Sequence, residues 1–166
     1  QRLIFKLLLK LKFFDENQIR QRLMGLQQMI GRDIAFRYEG KVARLHDLVV
    51  SYLDNPGKSG FQYAKLYGEE NKIYYENILE PARALKRARQ EKENTVKALV
   101  FVDDFLGTGQ SAIDHLLTVR EELVEVEKKG IPVFLCVVAG FQGSADRVER
   151  ELGLRINVRI AEPLGE

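Results

Sequence analysis

The stretch Ala98–Ala112, ALVFVDDFLGTGQSA, decides how this chain is read. An unbroken apolar run meets two adjacent acids, Asp103 and Asp104, and then a loop of Gly107, Thr108, Gly109, Gln110 and Ser111. Continuous rather than alternating hydrophobicity marks a strand buried on both faces, as in a parallel sheet covered by helices. The expected strand is Val96–Val102, which puts the acids and the glycine loop at the carboxyl edge of the sheet. Open α/β folds bind their ligands at that edge.

The neighbouring segments repeat the pattern. The sequence predicts a long helix over Ser111–Lys129, a buried strand over Ile131–Ala139, a helix over Ser144–Leu152 and a third strand over Ile156–Ala161. This alternation implies right-handed crossovers and an α/β, Rossmann-like parallel sheet flanked by helices. Upstream, Val49, Val50 and Tyr52 within Arg44–Asn55 suggest a short buried strand, with a helix over Val42–Leu53 as the competing assignment. NPGKSG, Asn55–Gly60, is a loop by composition, and Phe61–Asn71 resembles a short helix. Tyr74–Asn94 is polar and basic, with a helix expected to start at Pro81.

Residues 1–40 read as a helical extension or hood on a core of residues 41–166. Leu3, Ile4, Leu7, Leu8 and Leu11 share one helical face. Asp15 with Gln18 forms a loose capping box, opening a second helix through Ile19, Leu23, Leu26 and Ile30. A helical hairpin of this kind is expected to be a lid or docking element. Starting at Gln1 and ending on AEPLGE, the chain is expected to be trimmed at both ends.

Bulk properties narrow the class. With 166 residues, 45% hydrophobic and 30% charged, the chain has enough apolar material for one globular core. A net charge of +2 gives no support for nucleic acid. No apolar stretch reaches the ~20 residues of a membrane span. A single cysteine, Cys136, forms no internal disulfide and fits a cytoplasmic setting.

The loop carries the chemistry. Gly107 and Gly109 let the backbone turn so that its amides converge, the following helix adds a positive N-terminal dipole, and Thr108 and Ser111 add hydroxyls. That combination is a phosphate cradle. Asp103 and Asp104 stand too near an anion to touch it without repulsion, so they suit sugar hydroxyls or the hydration shell of magnesium. A phosphate and a diol a short distance apart describe a ribose 5-phosphate. Two acids alone more often cap a turn; it is the whole series that points to a ligand.

LVFVDDFLGTGQS, Leu99–Ser111, resembles the signature of the type I phosphoribosyltransferases, which use 5-phosphoribosyl 1-pyrophosphate (PRPP) and magnesium. The resemblance implies that Asp103 and Asp104 contact the ribose 2- and 3-hydroxyls and magnesium through water. It implies that Gly107, Thr108, Gly109, Gln110 and Ser111 hold the 5-phosphate. A pyrophosphate loop would fall on NPGKSG, with the amides of Gly57, Ser59 and Gly60 and the ammonium of Lys58; a plain surface turn is the other reading. A P-loop is excluded, because its first glycine should fall where Tyr52 stands. The family's mobile basic loop would match Tyr74–Asn94, with Lys86, Arg87 and Arg89, although a solvated helix face explains those charges equally well. Phe141 in AGFQG is placed to stack on an acceptor ring, or to belong to the core. His46 and His115 read as surface or packing residues, and neither a Ser-His-Asp set nor zinc-ligand spacing occurs.

Phe105 and Leu106 replace the smaller or polar residues usual after the acids. The DDFLGTG form, GKSG upstream and AEPLG at the end look most like the phosphoribosyltransferase-like domains of bacterial conflict and defence systems. Two functions follow from the resemblance. One is transfer of phosphoribosyl from PRPP to an unknown acceptor, with Asp103, Asp104 and Lys58 as catalytic residues, in nucleotide metabolism or antiviral defence. The other is an inactive sensor of PRPP or a ribose-phosphate nucleotide, acting on a protein partner or a second copy through the N-terminal helices.

Overall fold

The structure is a computed structural model that describes residues 14–37, 47–53, 60–90, 92 and 95–165. Residues 1–13 of the helix expected over 1–14, together with His46, Gly57, Lys58 and Ser59, lie outside the described residues. Four strands form one sheet in the order β1-β2-β3-β4, all parallel: β1 Leu48–Tyr52, β2 Ala98–Leu106, β3 Val133–Phe141 and β4 Ile156–Leu164. The helices are α1 Glu16–Arg37, α2 Gly60–Glu70, α3 Pro81–Arg89, α4 Gln110–Thr118, α5 Arg120–Lys128 and α6 Gln142–Leu152. β1 is a strand, so the helix assignment for Val42–Leu53 does not hold over Leu48–Tyr52.

Side chains alternate across the sheet with period two, and each face builds its own core. On one face Leu99 and Phe101 of β2 and Val133, Leu135 and Val137 of β3 pack against α3, α4, α5 and α6, through residues such as Leu85, Ile113, Leu123 and Val148. On the other, Val100, Val102, Phe134 and Cys136 meet α1 and α2. Here Leu23, Leu26, Ile30 and Ile34 of α1 are fully buried, together with Tyr67 of α2. When consecutive strands are neighbours joined by right-handed crossovers, the connections crowd onto one face. α1 and α2 supply the missing cover on the second face.

The capping box at the start of α1 is real and reciprocal. The Gln18 amide N–H donates to Asp15 Oδ1 at 2.8 Å, and the Asp15 N–H donates to Gln18 Oε1 at 3.1 Å. α1 is also tied to the sheet by ions. Arg22 reaches Glu162 at 3.1 Å and Arg159 reaches Asp33 at 2.8 Å, both pointing between α1 and β4.

β3 and β4 run past their expected ends, to Phe141 and Leu164, and two further elements differ more. The helix over Ser111–Lys129 is two helices broken at Val119 (φ −115°, ψ 21°). The Thr118 hydroxyl donates to the His115 carbonyl at 2.6 Å, a side-chain bond that competes with helix continuation. β2 continues four residues past Val102, because β3 runs alongside and supplies partners: Asp103 faces Val137, Phe105 faces Ala139 and Leu106 faces Gly140. Gly140 is needed there, since a Cβ on it would stand 2.8 Å from Leu106 Cβ. Pro163 sits in the edge strand β4, a position where a missing N–H is tolerated.

Candidate functional site

The acids and the glycine loop come together at the carboxyl edge of the sheet. Asp103 and Asp104 lie near the carboxyl end of strand β2 and are half-buried, while Phe105 is exposed. The Asp104 amide donates to Asp103 Oδ1 at 2.9 Å, which orients the first carboxylate along the strand end. The chain then bends through Gly107–Gly109 and enters α4 at Gln110.

Gly109 is the N-cap of α4 at φ 81° and has no side chain with which to cap it. Non-glycine residues rarely adopt that conformation. A Cβ there would also lie 3.1 Å from Val148 and 3.2 Å from the Ser144 carbonyl oxygen. With no capping side chain from Gly109, the amides of Ser111 and Ala112 in the first turn of α4 stay available to an anion, on top of the helix dipole.

Helix α6 sets the direction of the loop peptides. The Ser144 hydroxyl donates to the Gly107 carbonyl, and Arg147 Nη1 donates to the Thr108 carbonyl at 3.1 Å. Every peptide bond described is trans. In a trans peptide the C=O and the next N–H point in opposite directions. Holding the carbonyls of Gly107 and Thr108 toward α6 therefore aims the N–H groups of Thr108 and Gly109 away from it. Arg147 also donates to Gln110 Oε1 at 2.5 Å and pairs with Glu151 at 2.7 Å, while Gln110 Nε2 donates to Asp114 at 2.8 Å. The Thr108 hydroxyl accepts the Gln110 N–H at 3.4 Å. The loop is thus braced from below and presents donors above, the arrangement an anion needs.

Three residues join the site without a signature in the sequence. Ser144 and Arg147 lie one turn apart on α6 and read as ordinary polar helix positions. Tyr63 on α2 is the third. Burial first, then the charges of Asp104 and Asp103, raise its hydroxyl above the usual tyrosine range, which places it within electrostatic reach of both acids. Phe141 ends β3 half-buried, its ring edge-on to Phe105 with centroids 6.2 Å apart. Gly60 opens α2; its partners in the expected pyrophosphate loop lie outside the described residues.

The basic segment is not a free loop. Pro81–Arg89 is helix α3, with Ala84, Leu85 and Ala88 in the core. Arg89 pairs with Glu125 of α5 at 3.2 Å. Lys86 and Arg87 line a separate groove that none of Asp103, Asp104 or the glycine loop lines. His115 is half-buried beside a cavity of about 440 Å³ between α3 and the α4–α5 break.

Comparison with protein families gives a match to PRTase-CE that spans residues 1–166. The chain belongs to the PRTase-CE family. That makes it a phosphoribosyltransferase-type protein. Comparison with curated proteins returns no match. Among solved structures, this PRTase-CE chain is similar to the orotate phosphoribosyltransferase from Aeropyrum pernix. The two share 15% identity at a TM-score of 0.41, with 92% of this chain and 78% of that one covered.

Among the described residues of the PRTase-CE chain, no three carboxylate, imidazole or thiol groups converge to hold a metal. The Asp103–Asp104 pair suits magnesium all the same. That ion keeps most of its waters and binds through one or two carboxylates and the oxygens of a phosphorylated substrate. No helix among the described residues is long and apolar enough to cross a membrane.

Proposed function

We propose that the chain binds PRPP with magnesium at the carboxyl edge of β2 and transfers its phosphoribosyl group to an acceptor. The observation that carries this reading is the bracing of Gly107 and Thr108 by Ser144 and Arg147, which turns consecutive amides toward one side of the loop. The 5-phosphate sits on the amides from Thr108 to Ser111 and on the hydroxyls of Thr108 and Ser111. Asp103 and Asp104 accept the ribose hydroxyls. Gly57, Lys58, Ser59 and Gly60 grip the diphosphate.

Reaction then breaks the C1–O bond, with both electrons leaving on pyrophosphate, while the acceptor's lone pair closes on C1 and the acceptor loses its proton. Such an oxocarbenium-like path is accelerated mainly by positioning and by charge complementarity at the leaving group. Bound magnesium supplies further neutralisation of that leaving group. Lys58 adds a cation to the diphosphate, and Phe141 offers a ring face to the acceptor. The DDFLGTG form favours a role in bacterial antiviral defence, in the cytoplasm, where a buried and reduced Cys136 is at home.

A second reading, a sensor without turnover, is favoured by one contact. The Arg22–Glu162 pair links α1 to the carboxyl end of β4, two strands from the acids. Exposed Met29 and Phe36, seven residues apart along one side of α1, then offer a face to a protein partner or second copy.

Pyrophosphate release separates the two. Incubation with PRPP, magnesium and a panel of bases, nucleotides and proteins yields stoichiometric or catalytic pyrophosphate under the transferase reading. PRPP binding without release from any of them supports the sensor.

A further inference from the structure

A groove of about 950 Å³ runs beside the β1 edge of the sheet, lined by Tyr75, Glu76, Arg83, Lys86, Arg87 and Lys92 among others. The helix face that borders it is strongly basic. Ala84, Leu85 and Ala88 turn into the core, leaving Arg83, Lys86 and Arg87 outward, three and four residues apart. Like charges at that spacing destabilise a helix.

Several cations elsewhere among the described residues are matched by acids: Arg20 by Glu16 and Glu70, Arg22 by Glu162, Lys65 by Glu69, Arg89 by Glu125, Arg147 by Glu151 and Arg159 by Asp33. Among the described residues, Arg83, Lys86, Arg87 and Lys92 enter no ion pair. Four cations against one acid, Glu76, on one groove call for an anionic partner. A net charge of +2 over the whole chain conceals this local concentration.

The aromatic content narrows the partner. Tyr75 is 74% exposed at the groove wall, and its neighbour Tyr74 is 56% exposed. Stacking platforms beside a basic track are how single-stranded nucleic acid is held without sequence preference. An extended acidic peptide would instead add to the edge strand. That edge is already taken: Ile78 bridges to Val50, and the Leu79 N–H donates to the Val50 carbonyl at 2.9 Å. We propose that this groove binds single-stranded nucleic acid, with the phosphates on Arg83, Lys86, Arg87 and Lys92 and a base on Tyr75.

Fluorescence anisotropy of the full chain with labelled 15-nucleotide oligo(U) and oligo(dT) tests this. Both single strands bind, with log K falling by about 0.7 per decade of salt for each phosphate contact. The combined change Arg83→Gln, Lys86→Gln and Arg87→Gln weakens binding at least ~10-fold and flattens the salt slope. Tyr75→Ala alone weakens it roughly 5-fold or more, the loss of one stacked base. Lys128→Gln, on the exposed end of α5, changes nothing.

The proposal is overturned by absence of single-strand binding at 50 mM salt (about 14 Å of Debye screening by the usual square-root scaling). It is equally overturned by tighter binding to a 15-base-pair duplex, or by polyglutamate displacing the probe as well as unlabelled oligo(U). Equal losses in Lys128→Gln would also defeat it. Should the triple variant lose its helical circular dichroism, Lys86→Gln and Tyr75→Ala decide alone, because both side chains lie in solvent.

Discussion

The guanidinium of Arg147 donates to the Thr108 carbonyl at 3.1 Å, joining the middle of α6 to the tip of the glycine loop. With Ser144 on the Gly107 carbonyl, it fixes two peptide planes in the loop. Arg147→Ala is expected to weaken PRPP binding about 5- to 10-fold while leaving the far-UV circular dichroism intact. One hydrogen bond to a charged group is worth about 1.5–3 kcal/mol, and only part of it is spent on orientation. Calorimetry reads the affinity, and an unchanged value removes α6 from the site.

Gly109→Ala tests the same corner from the backbone side. Its φ of 81° and the 3.1 Å approach to Val148 both penalise a methyl group. A cost of about 2 kcal/mol follows from αL strain alone, or a fall in Tm of roughly 4–8 °C for a chain of this size. A Tm equal to the parent's means the loop does not hold this conformation in solution.

Tyr63 reports on the two acids spectroscopically. Its hydroxyl is raised by burial and then by Asp104 and Asp103, so in the folded chain it ionises above an ordinary tyrosine. The neutral form is favoured, and stability is lost only as pH climbs past the unfolded tyrosine value near 10. Absorbance at 295 nm, read as the difference from Tyr63→Phe, should show the late titration. Asp103→Asn with Asp104→Asn should move it part of the way back, since burial remains. No movement would place the acids away from Tyr63.

The sheet was legible because buried parallel strands are continuous apolar runs: ALVFV and VFLCVVA admit few other readings. The acids and GTGQS were legible because glycine and paired carboxylates after such a strand are rarely coincidental. The ends of the elements were not. β2 continues through Asp103 and Asp104 only because β3 offers partners out to Gly140, and a cross-strand partner leaves no local mark. The break at Val119 depends on one hydroxyl of Thr118 turning back to His115. Ser144, Arg147 and Tyr63 were invisible for the same reason: their roles come from what the fold sets opposite them.

α1 carries a stability prediction. Leu26 is fully buried against the second face of the sheet. Leu26→Ala should cost about 2–5 kcal/mol, seen as a drop in Tm of roughly 4–20 °C. A detachable extension would lose its own helix and leave the main thermal transition where it was.

The central claim is that the carboxyl edge of β2 holds a ribose phosphate between two acids and a ring of amides. Isothermal titration of PRPP with magnesium into the parent chain and into Asp104→Asn combined with Thr108→Ala tests it most directly. Saturable binding by the parent and at least ~10-fold weaker binding by the double variant are predicted, from charge-assisted bonds of about 1.5–3 kcal/mol each. Equal affinities in the two proteins, or no heat in the parent, would contradict it.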